Sequence, residues 1–518
     1  MDRITLTLTA TTTATLTLTI ILTLQANYTA AIATATITAS TTILILTRKA
    51  GGPGQLNIKL VLAITHMYTL SLGLTEPREL IESIAKKEEY KEYREIFKNI
   101  INLAINMSLG LTKAIAQTAK KVKPPLKDIL TRMAEALSTT KPKDYLELEH
   151  VTIMDEYMGQ QERSLETLRM LSGVYGTFQS ISAVIIIIVI AMSLFTIDPN
   201  TITLAYIASA ASTATLIIAI WSTAPKDIMI YFEKDHPTHK TIKIAATIII
   251  PASTIIAATT YTATHIPPVA ITSSGLTLLA LGILTRNLEK KVQTIDEYYP
   301  TLIKTIGENL ATTLNPKAAL EYTKNIHLGP LRKGVQHAIS WINLGLDIEK
   351  AFKLMAEETG SHTIRIMNQM LVDSIRVGAP PIQTSKTIAD TTIKILEMRK
   401  RRIATAKTMD TVIVMMHPIT IMLLIAVTNT LAQFTSIIPI TPIQYIPINP
   451  IPIQTITIAN MIFTYTISII NATTMTIVRG GYKWRITLNT SILLILGGIS
   501  WATAEILTKT LTKLTPIL

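Results

Sequence analysis

Long apolar runs without charged residues alternate with charged islands in this sequence of 518 residues. A helical run of about 20 apolar residues crosses the ~30 Å hydrocarbon core of a bilayer. About nine runs have this character, at 4–24, 28–47, 182–196, 202–221, 244–261, 269–284, 411–430, 456–478 and 486–507. We therefore expect an all-α, polytopic membrane protein with about nine spans.

Composition agrees with a membrane protein and excludes several kinds of chemistry. Charged residues make up 16% of the chain, against about 25% in soluble proteins. The net charge of +13 is explained by Lys and Arg kept on the cytoplasmic side. Four Trp and seven Phe offer little stacking surface, so no nucleic-acid partner is expected. The absence of Cys excludes disulfides, thiolate metal sites and thiol catalysis.

Two islands, 48–176 and 286–408, are rich in charge and amphipathic. In the first island, acids and bases at i,i+4 spacing share one helix face and apolar residues share the other. This pattern predicts helices at 79–106, 112–122, 126–137 and 146–174. We expect five domains: a hairpin of two spans, a helical module, four spans in two hairpins, a second helical module and three final spans. Their ranges are 1–47, 48–176, 177–285, 286–408 and 409–518.

The distribution of basic residues predicts the topology. Lys and Arg cluster at 48–49, 286–291, 399–402 and 479–485. The loops predicted for the other side contain neither Lys nor Arg, and they are 25–27, 198–200, 262–268 and 433–454. By the positive-inside rule the N-terminus and both modules are expected in the cytoplasm and the C-terminus outside. Lys509 and Lys513 in the C-terminal tail depart mildly from this rule.

The two islands contain an internal repeat. Leu109-Gly110-Leu111 matches Leu344-Gly345-Leu346, and a helix-start proline precedes each turn, at Pro77 and Pro316. Further along, 129–133 matches 366–370, and an apolar run follows each island. The pattern predicts a small antiparallel helical bundle that is duplicated at the bilayer surface.

The repeated unit is similar to a known domain. A helix, a turn of the form Leu-Gly-Leu-x-x-x-Lys-Ala, two further helices and a span resemble the type II secretion system F domain. The second island carries the resemblance best, at 309–320, 345–358 and 370–378; the first departs at Thr112, where the second has the acid Asp347. Two such domains with several spans between them resemble the archaeal platform proteins of archaella and type IV pili.

The resemblance implies a function. A platform protein docks on a cytoplasmic hexameric secretion ATPase and transmits the movement of that motor to pilin or archaellin subunits in the cell membrane. The resemblance also implies a homodimer, and no catalytic residues, metal or cofactor. Which filament is built stays open at this point, and so does glycosylation of the Asn27 sequon.

Several cations are candidates for docking the ATPase. They are Lys86, Lys87, Lys120, Lys121, Arg399, Lys400, Arg401 and Arg402, while Gly110 and Gly345 mark the family turn. The cations could bind an acidic surface of the ATPase or hold the chain at anionic lipid. Lipid anchoring is favoured at 399–402, which adjoins a span. For the two lysine pairs, lipid anchoring and ATPase docking are equally favoured.

Other candidate sites have plainer interpretations. No phosphate-binding loop occurs, and 51–54 reads as a helix breaker. Asp235, His236 and His239 suggest a metal site, but a solvated loop is favoured. The acid pairs at 155–156 and 357–358 are expected on solvated helix faces. Asp410 opens a span, and an interfacial ion pair with Lys407 is favoured over an intramembrane functional carboxylate.

A secondary transporter is the alternative function. Transporters place charged or broken helices at the bilayer midplane and repeat their membrane part. Here the repeat lies in the charged islands and the predicted spans carry almost no charge. The sequence therefore favours a platform over a transporter, and predicts no enzyme.

Overall fold

The structure, a computed structural model, describes residues 56–73, 76–90, 92–139, 141–193, 195, 200–232, 236–437 and 453–514. Within these ranges the chain is helical and has no strand; one isolated β-bridge joins Ile230 and Ser361. The prediction of an all-α membrane protein is confirmed.

The first module has six helices in the described part of the chain. They are α1 Ile58–Ser71, α2 Pro77–Lys86, α3 Glu92–Asn106, α4 Leu111–Ala119, α5 Leu126–Thr139 and α6 Pro142–Met192. Two helices follow, α7 Asn200–Thr223 and α8 Pro237–Thr264.

The second module repeats this order of helices. Its helices are α9 Pro267–Thr313, α10 Pro316–Tyr322, α11 Leu331–Asn343, α12 Ile348–Thr359, α13 His362–Arg376 and α14 Pro381–Ile437. The last two helices are α15 Ile453–Arg479 and α16 Ile486–Leu514.

Seven helices are long and apolar enough to cross a membrane, judged by length and composition. They are α6, α7, α8, α9, α14, α15 and α16. Six of them each contain one of the predicted runs between 202 and 507, and α6 contains residues 182–192 of the run 182–196. The first two predicted runs, 4–24 and 28–47, lie outside the described residues.

Three helices continue from a charged module into an apolar run without a break. They are α6, with 51 residues, α9, with 47, and α14, with 57. The predicted domain boundaries after residues 176, 285 and 408 each fall inside one of them. The prediction of a separate helix at 146–174 was wrong, because this stretch continues without a break to Met192, inside the predicted run 182–196.

The predicted helix at 79–106 was also wrong, because it is two helices. The chain leaves the helix at Lys87, whose backbone is extended, and Glu88–Tyr90 forms a 3-10 turn before α3. The break turns the Tyr90 ring into the core, where it is 2% exposed. Burial of that large ring explains why one amphipathic run is divided.

The order of elements supports the internal repeat. In each module a helix that begins with proline, α2 or α10, is followed by a 3-10 turn. The family turn then comes at Gly110 and Gly345, which have φ angles of 75° and 90°. Those positive angles favour glycine at both positions. The long helices α6 and α14 begin with Pro142 and Pro381, the position where a missing N–H costs nothing.

The short helix α1 lies at the centre of the molecule. Twelve of its fourteen residues are buried, and it packs against α6, α2 and α13. The sequence interpretation did not single it out, since the run is too short for a span and carries Lys59 and His66. One continuous apolar core contains residues of both modules, for example Phe97 and Met367. The modules therefore pack together as one body.

Candidate functional site

The long helices α6 and α14 pack side by side in the same direction. Asp155 of α6 accepts from Lys394 Nζ of α14 at 2.7 Å, and Glu162 accepts from Arg401. In both pairs the partners are 239 residues apart, the same separation as between the helix-start prolines Pro142 and Pro381.

The contacts continue along α6 at intervals of seven residues. Arg169 Nε donates to Thr405 Oγ1 at 3.3 Å, and Gly176 lies against Val412. A seven-residue interval is the spacing of parallel coiled-coil packing. Equivalent positions of the two copies face each other at Asp155 and Glu162, which indicates a pseudo-twofold relation there. Arg169 and Gly176 meet residues 236 positions further along the chain, three short of the equivalent ones.

Asp373 of α13 accepts contacts from the first module. Its carboxylate lies 2.6 Å from Lys87 Nζ, and His66 Nε2 lies 3.2 Å away. Burial alone would raise the pKa of Asp373, but His66 and Lys87 outweigh burial and lower that pKa to about 2. Asp373 is therefore ionised and binds the two modules together.

His66 stays neutral in the folded protein. Burial lowers its pKa more than the nearby Asp373 carboxylate raises it. Its Nδ1 is 2.9 Å from the Tyr90 hydroxyl. A second contact between the modules, from Arg365 to Glu89 at 3.4 Å, lies close by. These groups form a polar cluster inside the shared core.

Arg399 joins four parts of the chain at the end of the modules. Its guanidinium donates to Asp227, in the link between α7 and α8, and to Asp296 of α9 at 3.0 Å. Asp296 also accepts from Ser361, which caps α13. Burial raises the pKa of Asp227, but the Arg399 charge and hydrogen bond outweigh it and the pKa is lowered.

Arg402 is an internal helix cap. Its guanidinium donates to the carbonyls of Val478, Ile477 and Pro225 at 2.9, 2.8 and 2.6 Å, and the residue is 8% exposed. Two of those carbonyls belong to the last turn of α15, where a cation is favourable. Gly480 is required beside it, because a Cβ there would lie 2.4 Å from Arg402 Cζ.

The predicted docking cations therefore fall into two groups. Lys87, Arg399 and Arg402 have buried or mostly buried partners inside the chain, as described above. Lys86 and Lys400 point outward, with side chains 75% and 67% exposed, and pair with Glu82 and Glu297.

The remaining predicted cations lie on the surface as well. Arg401 is half exposed beside Glu162. Lys120 and Lys121 are exposed just after α4, and no ion pair involving either occurs within the described ranges. The structure does not bring all eight cations together into one patch.

Other predicted candidates have structural partners. Asp410 forms its ion pair with Arg479 at 3.5 Å rather than with the predicted Lys407. His236 caps α8 by accepting from the Thr238 amide. Glu358 lies 2.8 Å from His337 Nδ1. Among the described residues, no group of three or more His, Cys, Asp or Glu could hold a metal ion.

Exposed apolar side chains next to both family turns were missed in the sequence. Leu344 precedes Gly345 and is 85% exposed, and Met107, near Gly110, is 66% exposed. The repeat itself was the signal, since both turns carry a large apolar residue within three positions of the glycine.

The comparisons bear on the whole architecture. No family model matches the chain, and no solved structure matches it. The Flagella accessory protein J of Methanocaldococcus jannaschii is 23% identical over 367 residues, and that of Methanococcus voltae is 25% identical over 369 residues. The resemblance to archaeal filament platform proteins is confirmed. Each alignment covers 67% of this chain and 65% of the relative, so the chain matches just under two thirds of either relative's length.

Proposed function

We propose that this chain is the membrane platform of an archaeal type IV filament, an archaellum or a pilus. In this role it binds a cytoplasmic secretion ATPase and passes the motion of that motor to pilin or archaellin subunits in the membrane. The likeness to two proteins named Flagella accessory protein J supports the archaellum as the first candidate. A homodimer and a cytoplasmic position of both modules belong to the same proposal.

The continuity of α6, α9 and α14 carries the proposal. At 1.5 Å per residue these helices are roughly 70 to 85 Å long, while the hydrocarbon core is ~30 Å thick. Roughly 40 Å or more of each helix therefore projects from the bilayer. Because no loop interrupts these helices, a push on the modules displaces the apolar segments directly.

The positions of the exposed cations limit where the ATPase can dock. Arg399, Arg402 and Lys87 are occupied by partners inside the chain, so we assign them to holding the modules in place. Lys120 and Lys121 are exposed, and charge complementarity with an acidic ATPase surface would favour contact there. We therefore propose that docking uses Lys120 and Lys121, with Lys86, Lys400 and Arg401 as further surface cations.

Binding of the ATPase by the chain in lipid nanodiscs tests this proposal. A secretion ATPase from the same organism is the ligand, and affinity is measured by biolayer interferometry at fixed ionic strength. Lys120→Glu with Lys121→Glu is expected to weaken binding at least tenfold. The matched control is Lys290→Glu with Lys291→Glu, an exposed adjacent pair on α9, and it should leave the affinity within about twofold of wild type.

Three outcomes decide between the alternatives. Wild-type binding that is lost in the first variant and kept in the control supports the docking surface. Equal binding by all three proteins would remove Lys120 and Lys121 from the docking surface. Absence of wild-type binding would contradict the platform function itself. A substrate-dependent flux through proteoliposomes would then favour the transporter.

A further inference from the structure

A cavity of about 480 Å³ lies where the modules meet the apolar helices. Its walls come from the start of α1, the start of α13 and the residues that follow α7 and α15. The cavity therefore lies at the level where two candidate spans end. Its volume is in the range of sites that hold small molecules.

The walls of this junction cavity are strongly basic. Among the described residues that line it, five are Lys or Arg and one, Asp227, carries a carboxylate. That carboxylate is already paired with Arg399. Arg402 binds only carbonyls among its described contacts, so its positive charge has no direct carboxylate partner there. Lys226 and Lys483 are exposed at the rim.

A helix terminus adds to the positive potential. The first residues of α1, Ile58 and Lys59, line the cavity. The N-terminus of a helix carries a partial positive charge that favours anions. Asn57 accepts from the amides of Lys59, Leu60 and Val61, so the helix contributes its dipole rather than free amides.

Much of the remaining lining is apolar. Leu62, Ile366 and Ile477 contribute to it. Trp221 is 57% exposed at the end of α7, and Lys226 Nζ lies 5.0 Å from the centroid of its ring. Trp at a span end is typical of the membrane–water interface. A ligand that suits these walls is anionic at one end and apolar at the other.

We propose that the junction cavity binds the phosphate headgroup of an anionic membrane lipid. The phosphate lies near Lys226, Lys483 and the start of α1. The lipid chains leave past Trp221 toward the bilayer. This proposal does not depend on the proposed function. A bound lipid would fill the contact between the modules and the ends of α7 and α15.

Native mass spectrometry of the full chain in neutral detergent tests the proposal. Phosphatidylglycerol, phosphatidylcholine or inorganic phosphate is added to the delipidated protein, and bound adducts are counted. We expect one phosphatidylglycerol to be retained at least tenfold more strongly than phosphatidylcholine. Lys226→Glu with Lys483→Glu should abolish that preference, because each basic residue near an anionic headgroup favours binding.

A matched control keeps the test specific. Lys290→Glu with Lys291→Glu makes the same charge change on exposed residues outside the cavity lining, and should leave retention unchanged. Trp221 fluorescence, read in a variant whose other Trp residues are replaced by Phe, should respond to brominated phosphatidylglycerol.

Competition with inorganic phosphate distinguishes binding of the whole lipid from binding of a phosphate group alone. If millimolar inorganic phosphate displaces phosphatidylglycerol fully, the site binds a free phosphate and the lipid proposal is overturned. Equal retention of both lipids, or loss of binding in the Lys290 and Lys291 control as large as in the cavity variant, would also overturn it.

Discussion

At the residue scale, Asp373 has the largest structural effect for a single side chain. It belongs to the second module and receives Lys87 and His66 from the first. Its side chain is 10% exposed and that of Lys87 is 20% exposed. Removing one partner of a mostly buried ion pair leaves the other charge without compensation. Asp373 therefore specifies how the modules pack more than it adds net stability.

Stability should fall as the pH is lowered below 6.5, and His66 should account for part of that fall. The folded pKa of His66 lies below the model-compound value of 6.5 because the ring is buried. Between the two values the unfolded chain binds a proton that the folded chain does not, so the stabilisation is complete above pH 6.5 and is lost as the pH falls. The limiting slope is ~1.4 kcal/mol per pH unit.

Thermal unfolding at pH 7.5 and pH 5.5 measures this contribution. The groups that face His66 are Asp373, Lys87, Glu89 and Tyr90. His66→Gln keeps a polar group near Tyr90 but cannot titrate, so its midpoint should fall less on acidification than that of the wild type. Equal falls in the two proteins would contradict a neutral buried His66.

The basic cluster 399–402 illustrates what sequence could and could not predict at this scale. Its charge and its position before a span were evident. The burial of Arg399 and Arg402 was not, because their partners lie in other segments, such as Asp227 and Val478. Only folding brings such distant groups together. Lys400 and Arg401, between them, stay on the surface.

At the element scale, close packing of α6 against α14 keeps the two modules in register. Gly176 of α6 faces Val412 of α14, and an added Cβ would lie 2.6 Å from Val412 Cγ1. Gly173, one turn earlier, has no described atom within 4 Å of an added Cβ apart from its own helix and chain neighbours. The two glycines therefore form a matched pair on one helix.

Substitution of these glycines by leucine tests the helix contact. Gly176→Leu should destabilise the protein by about 1–3 kcal/mol, since overpacking outweighs the gain in helix propensity. Gly173→Leu gains the same propensity without a clash and should be neutral or stabilising by up to ~1 kcal/mol. Thermal midpoints in detergent give the comparison. A fall of equal size in both variants would argue against close packing at Gly176.

The apolar period and the length of the runs predicted the elements well between residues 182 and 507. Seven predicted spans correspond to seven helices that are long and apolar enough to cross a membrane. The hydrophobic pattern could not show that α6 is one helix. Its amphipathic first part and its apolar second part have different patterns, so they look like two separate helices in the sequence. The hydrophobic pattern also missed α1, which is buried by tertiary packing rather than by lipid.

At the scale of the whole molecule, the duplication explains the architecture. Two copies of one helical bundle share a core and face each other across α6 and α14. The order of helices in both copies was visible in the sequence. The pseudo-twofold arrangement was not visible in the sequence, because it depends on which faces of the two long helices meet. A platform built this way presents two related turns, Gly110 and Gly345, to a partner.

The central claim is that both modules lie on the cytoplasmic side, where a secretion ATPase works. Because the chain has no Cys, single cysteines can report their side of the membrane without a background. Met107→Cys and Leu344→Cys place exposed thiols beside the two family turns. Ala263→Cys places an exposed thiol at the C-terminal end of α8, which is predicted to lie outside. Each variant is treated with a membrane-impermeant maleimide in right-side-out and inside-out vesicles.

We expect Met107→Cys and Leu344→Cys to be labelled only in inside-out vesicles, and Ala263→Cys only in right-side-out vesicles. Labelling of both modules from the outside would contradict a cytoplasmic motor partner. Labelling of the two modules from opposite sides would contradict the shared core and the parallel α6–α14 pair as well.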